Sequence, residues 1–166
     1  MIEIFTDGSS TSNRNGYGAI ILRDGVNVAE LAGTCSIGTN QSMELKAALI
    51  GCEYVEQKYI VKDAFPQEHI VVYSDSAYLI NCVNDKWYVN WFYNGWINSA
   101  NKPVANKELW EKLIIYFENP NFEFKKVAGH SGHIYNDRAD SLATGKSKPE
   151  NSENLTTYKK YDNINI

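Results

Sequence analysis

The chain has 166 residues, of which 43% are hydrophobic and 22% charged, and a formal net charge of −4. Such a composition belongs to a globular domain large enough to bury a core, and apolar runs as short as Tyr17–Leu22 cannot span a bilayer. The acidic excess sits in the first half, with 5 basic and 10 acidic side chains in residues 1–83 against 11 and 10 in residues 84–166, so bulk charge excludes neither a nucleic-acid partner nor a carboxylate set that holds cations.

Met1 runs directly into a β-rich segment, "IEIFTD" (residues 2–7), which ends at Asp7-Gly8. No basic stretch, apolar core and cleavage site precede it, so a cytoplasmic protein without a secretory signal is expected. Two further apolar runs, "GYGAIIL" (16–22) and "VNVAELAGT" (26–34), flank Arg23-Asp24-Gly25. An Asp-Gly between such runs predicts a hairpin. The polar stretch "GSSTSNRN" is then the loop joining strands one and two.

From Ser42 to about Tyr59 the period becomes helical, with Met43, Ala47, Ile50 and Tyr54 on one stripe and Leu45, Leu49 and Cys52 on a second. Lys46, Glu53 and Gln57 are expected on its exposed side. "HIVVYSD" (69–75) is a continuous apolar run, which predicts a strand buried on both faces. A short helix follows in "SAYLINCV", then an aromatic, turn-punctuated segment over 86–103. An amphipathic helix over 105–118, a strand over 122–129 and a last helix over 133–144 complete the domain. Residues 146–166 are polar, show no helical stripe and read as a loosely held tail to a domain over 1–145. Cys35, Cys52 and Cys82 are odd in number and lack C-x-x-C spacing, which predicts buried free thiols. The order βββαβαααβα predicts an α/β fold, one mixed sheet with helices on its faces.

Asp7 and Asp75 each end a predicted strand and each precede a small residue. Ligand sites in α/β sheets gather outside the carboxyl ends of strands, although aspartate is also a common turn former and helix cap. Glu44 shares its helical stripe with Ala48, Gly51 and Val55, so it faces inward, where a carboxylate is costly unless it is paired or binds a metal. A first-turn glutamate is also favoured by the helix dipole. In the last helix Asp140 sits among Ala139, Leu142 and Ala143, whereas Asp137 lies one position too early to share that direction. Four such carboxylates suit oxygen-seeking divalent cations.

Taken together, "IFTDGSS" (4–10), "GYGAIIL" (16–22), "TNQSMELKAAL" (39–49), "YSDSAYLINCV" (73–83), the aromatic segment 86–110 and "VAGHSGHIYNDRADSLA" (127–143) resemble ribonuclease H type 1. The resemblance spans nearly all of residues 1–145 in order. It implies the ribonuclease H-like fold with a five-stranded mixed sheet, and cleavage of the RNA strand of RNA–DNA hybrids to 5′-phosphate and 3′-hydroxyl products. It also implies two Mg²⁺ ions, replaceable by Mn²⁺, held by Asp7, Glu44, Asp75 and Asp140. One ion would orient the attacking water and the other stabilise the leaving oxygen, with Asp7 bridging both. His130 matches a mobile-loop histidine that assists proton transfer, and His133 a structural one. The resemblance assigns minor-groove contacts to Ser10, Asn13, Asn40, Gln41 and Glu44, phosphate contacts on the DNA strand to Thr39 and Asn106, and packing along that strand to Trp87 and Trp91. A monomer acting on a hybrid, with no membrane partner, is expected.

Three departures stand out, one of them a first loop that looks shorter than in longer-looped members. "WFYNGW" places aromatics and Asn where related enzymes carry basic residues, which predicts weaker or differently built hybrid binding. Ala77 stands where some members have a longer polar side chain. The rival readings are an integrase-like nuclease, a non-catalytic hybrid-binding module and a phosphoacceptor domain. "GHSGH" with "NDRAD" argues against the first, the intact carboxylates against the second, and the early Asp-Gly hairpin against the third, which needs βαβ crossovers from its start.

Overall fold

In this computed structural model, residues 1–60, 68–129 and 132–150 are described. β1 (Ile2–Ser10), β2 (Asn15–Arg23) and β3 (Val26–Cys35) form an antiparallel meander. Asp24 and Gly25 both have positive φ, the conformation that a tight two-residue hairpin requires and that Asp-Gly tolerates. β4 (Ile70–Ser74) and β5 (Phe122–Lys126) extend the sheet in parallel beyond β1, giving the order β3-β2-β1-β4-β5. The helices are α1 (Asn40–Val55), α2 (Ala77–Asn84), α3 (Trp87–Asn94), α4 (Lys107–Phe117) and α5 (Ile134–Thr144), with a π-helical turn at Glu56–Ile60 after α1. The predicted element order and mixed sheet are both observed.

Alternation along the strands splits the core between two faces. Ile4, Ala19 and Ile21 pack with α1 and α4 in the larger cluster, whose largest fully buried side chain is Trp110. Phe5, Ile20 and Leu22 point the other way and pack against Ala139 and Leu142 of α5. All three cysteines are free and buried. Among the described residues no helix is long and apolar enough to cross a membrane.

Several boundaries differ from the sequence reading. β1 does not end at Asp7 but continues against β2 to the Ser10–Asn15 pair, so the connecting loop is only residues 11–14. α1 starts at Asn40 rather than Ser42, and α-helical geometry gives way to the π-turn after Val55. Lys46 is not exposed. It is fully buried, with Nζ 2.9 Å from Cys35 Sγ at the end of β3. A helix with 13 of its 16 residues buried has almost no solvent face left for a lysine. Glu53 is half-buried and only Gln57 is exposed, as expected.

Residues 146–150 of the expected tail are tied down, while 151–166 lie outside the described residues. Arg138 forks onto Glu30 at 2.9 and 2.8 Å and also donates to the Lys148 carbonyl at 3.0 Å. The Glu150 N–H donates to Glu30 at 2.8 Å. Burial works against the charge on Glu30, but Arg138, the Glu150 N–H and Asn27 outweigh it and hold its pKa below the usual range. The carboxylate is 2% exposed, so losing its partner strands a buried charge. Arg138→Ala is expected to cost about 3 kcal/mol near neutral pH. Because the folded pKa is depressed, that deficit should shrink as pH falls through the acid range and Glu30 protonates; urea unfolding of both proteins at neutral and acid pH measures it.

Candidate active site

The parallel ladder between β1 and β4 ends at the pair Thr6–Ser74. Asp7 comes next on β1 and Asp75 directly follows β4, so they leave the ladder side by side. Thr6 and Ser74 beneath them are fully buried, and Thr6 Oγ1 donates to the Tyr73 carbonyl at 3.0 Å. Asp75 lies on a two-residue link that is pinned at both ends. The Ser76 N–H donates to Ser74 Oγ at 3.1 Å, and Ser76 Oγ caps α2 by accepting from the Leu79 N–H at 3.2 Å.

Glu44 reaches the same place from α1. A reciprocal cap fixes the start of that helix: Thr39 Oγ1 accepts from the Ser42 N–H at 3.0 Å, and Ser42 Oγ accepts from the Thr39 N–H at 2.8 Å. The α1 backbone then presses on β1 at Gly8, where a Cβ would stand 2.2 Å from Glu44 N and from the Met43 carbonyl carbon. Only glycine permits that approach. A second glycine, Gly129, backs Asp75; a Cβ there would come within 2.7 Å of Asp75 Oδ2.

Asp7, Glu44 and Asp75 each offer an oxygen within 4.8 Å of the others. Asp140, half-buried on α5, is outside that tight trio but helps to raise the Asp7 pKa through its charge. Asp137 is exposed, as its helical position predicts. One turn before Asp140, Asn136 is 3% exposed with its Oδ1 unpartnered among the described residues. The sequence reading did not single out Asn136, although its i−4 spacing from Asp140 places both on one side of α5.

Burial is the largest influence raising the Asp7 pKa; the Glu44 hydrogen bond opposes it, and the Asp75 and Asp140 charges add to it, giving a rise to about 7. Burial also dominates at Glu44, joined by the Asp7 and Asp75 charges, and raises it to about 10. Glu44 Oε2 is buried without a hydrogen-bond partner among the described residues. Crowded carboxylates with an orphaned oxygen are the donor set of a hard divalent cation, and these residues fit one.

The other predicted residues are dispersed. Ser10 and Asn40 meet directly, the Ser10 N–H donating to Asn40 Oδ1 at 2.7 Å. Thr39 and Gln41 are exposed beside them, and Asn13 is exposed on the loop 11–14. Asn106 is 6% exposed in a left-handed conformation before α4 and donates through Nδ2 to the Tyr78 hydroxyl at 3.3 Å. Trp87 and Trp91 are partly buried against the core, and Trp91 packs 5.6 Å from Trp110. They also line a groove of about 750 Å³ with Asn90, Tyr93, Asn94 and Asn98, and among the described residues neither Lys nor Arg lines it. None of the carboxylates borders this groove. His133 stacks on Phe5 with centroids 4.9 Å apart. His130 lies outside the described residues.

The raised pKa values mean that deprotonating the cluster costs folded-state stability as pH rises from the normal carboxylate range toward these values. Glu44→Gln is therefore expected to raise the thermal midpoint of chelator-treated protein near pH 8 and to change it little near pH 4; differential scanning calorimetry of both proteins at both pH values checks this.

A family model described as RNase H matches residues 1–148. The Ribonuclease H of Syntrophomonas wolfei is 40% identical over 149 residues, covering 89% of this chain and 96% of that protein. That of Chlorobium phaeobacteroides (strain DSM 266) is 36% identical over 144 residues, covering 86% and 92%. Among solved structures, LC11-RNase H1 in complex with RNA/DNA hybrid superposes with a TM-score of 0.66 at 23% identity, covering 87% of this chain and 95% of that one.

Proposed function

The chain belongs to the ribonuclease H family, and from that premise we propose that it is an endonuclease that hydrolyses the RNA strand of RNA–DNA hybrids by two-metal-ion catalysis, leaving 5′-phosphate and 3′-hydroxyl ends. The observation that carries this reading is the Asp7–Glu44–Asp75 trio, with its unpartnered Glu44 oxygen, opening beside a polar edge formed by Ser10 and Asn40.

Asp7, Glu44, Asp75 and Asp140 would hold the cations, Mg²⁺ or Mn²⁺, which would supply activation of water and neutralisation of charge on the phosphate. Asp7 lies beside Glu44 and Asp75 and would share in holding the cations. Ser10, Asn40, Gln41 and Glu44 face the minor groove and test for the 2′-hydroxyl, the group that separates RNA from DNA. Asn13 touches the same groove from the loop 11–14. Thr39 and Asn106 hold a phosphate of the DNA strand, and Trp87 with Trp91 packs along that strand. Among the described residues no Lys or Arg lines the groove beside those tryptophans, so contact there is apolar and amide-mediated and adds little to the salt dependence of binding. His130 carries protons to and from the reacting oxygens. The enzyme acts as a cytoplasmic monomer.

Incubation of a labelled RNA–DNA hybrid with Mg²⁺ or Mn²⁺, alongside double-stranded DNA and double-stranded RNA, tests the assignment. Cleavage confined to the RNA strand of the hybrid is expected; no cleavage by the folded protein with either metal overturns the reading. Asp7→Asn should lower turnover by about 10³-fold or more while hybrid binding stays measurable. His130→Ala should slow turnover on the order of 10²-fold but leave residual activity, since water can replace a proton carrier. Single-turnover kinetics and a binding titration separate the two outcomes.

A further inference from the structure

Asn15, at the first position of β2, was not among the residues that the sequence pointed to. Its side chain joins three segments beside the reading edge. Asn15 Nδ2 donates to the Cys35 carbonyl at 3.3 Å and to the Ser36 carbonyl at 3.5 Å, and Asn15 Oδ1 accepts from Ser10 Oγ at 2.6 Å. The direction of this network is forced. Backbone carbonyls only accept, so the amide nitrogen must face them and the amide oxygen must face Ser10. The single hydroxyl proton of Ser10 is thereby directed to Asn15, with the Gly38 carbonyl at 3.2 Å as the longer alternative.

The same logic fixes Asn40. The Ser10 N–H can only donate, so the Asn40 atom that receives it at 2.7 Å is Oδ1. Ser10 is left showing lone pairs toward solvent, and exposed Asn40 is left with its Nδ2 hydrogens. An acceptor and a donor then stand together, the complement of a hydroxyl that both donates and accepts.

We propose that Asn15 is a specificity-determining positioning residue that locks the Ser10 hydroxyl as a hydrogen-bond acceptor, so that the edge demands a donating 2′-hydroxyl on the substrate. This rests on the hybrid-cleaving function proposed above. It separates ribose from any 2′ substituent that accepts but cannot donate, such as fluorine, and not only from deoxyribose.

The test uses hybrids whose RNA strand carries one 2′-fluoro nucleotide, moved position by position around the cleavage site. The wild-type enzyme is expected to lose about tenfold in kcat/KM at one position, the effect of one hydrogen bond left unmade. Asn15→Ala leaves the Ser10 proton only the longer contact to the Gly38 carbonyl, so that the hydroxyl can turn to the substrate and most of that penalty should be lost. Asn15→Asp keeps an oxygen facing Ser10 but sets a carboxylate against the Cys35 and Ser36 carbonyls. It should therefore raise KM for the unmodified hybrid and yet retain the fluorine penalty. Ser10→Ala should lose the penalty, and adding Asn15→Ala to it should change nothing further. A wild-type enzyme indifferent to fluorine at every position, a penalty that survives in Asn15→Ala or Ser10→Ala, or one that vanishes in Asn15→Asp overturns the assignment. Failure of wild-type protein to cleave the unmodified hybrid refutes the function itself instead.

Discussion

Mutually repelling carboxylates are held together here because the backbone around them has nowhere to go. The β1–β4 ladder stops at Thr6–Ser74 and releases Asp7 and Asp75 at the same level. α1 is pressed against β1 at Gly8, which sets Glu44 opposite them. Gly129 closes on Asp75 from a fourth segment. Ladder hydrogen bonds and close backbone contact resist the relaxation that charge repulsion would otherwise drive, since interiors packed at this density deform little.

That geometry sets stability against function. Burial and repulsion raise the pKa values of Asp7 and Glu44, so an ionised cluster without counter-charge weakens the fold. The rest of the domain carries the cost through its two-faced core, with α1 almost wholly buried on one side and α5 on the other. Arg138 and Glu30 bind α5 to β3 on the outer side of that helix, while two residues further on Asp140 engages Asp7. The ion pair distant from the cluster thus helps to hold the helix that completes it. The reading edge is built in the same manner, with Asn15 linking the ends of β1, β2 and β3, and the Ser10 N–H tying β1 to Asn40 at the start of α1.

Much of this was legible from local pattern. Asp-Gly between apolar runs predicted the hairpin, and the apolar stripe shared by Glu44, Ala48, Gly51 and Val55 predicted an inward glutamate. Periodicity also separated Asp140 from exposed Asp137. Lys46 was misread because a helix stripe shows where the strongest apolar face lies, not whether the opposite face is covered, and the end of β3 covers it. The bond from the Asn106 amide to the Tyr78 hydroxyl joins residues too far apart in the chain to be read from it. Asn15 and Asn136 gave no signal, because a polar residue at a strand start or in a helix turn is ordinary until its partners are known.

The sequence by itself determined the element order and the inward direction of Glu44, since each follows from a period or a turn written in neighbouring positions. Only the tertiary structure decided that Asp7, Glu44 and Asp75 lie within 4.8 Å of one another, and which atoms of Ser10 and Asn40 are engaged within the protein. Those facts depend on the register between β1 and β4, on the approach of α1 to Gly8 and on hydrogen bonds between residues distant in the chain. Pairings between remote segments are chosen by the packing of the whole core, which no short stretch of sequence contains.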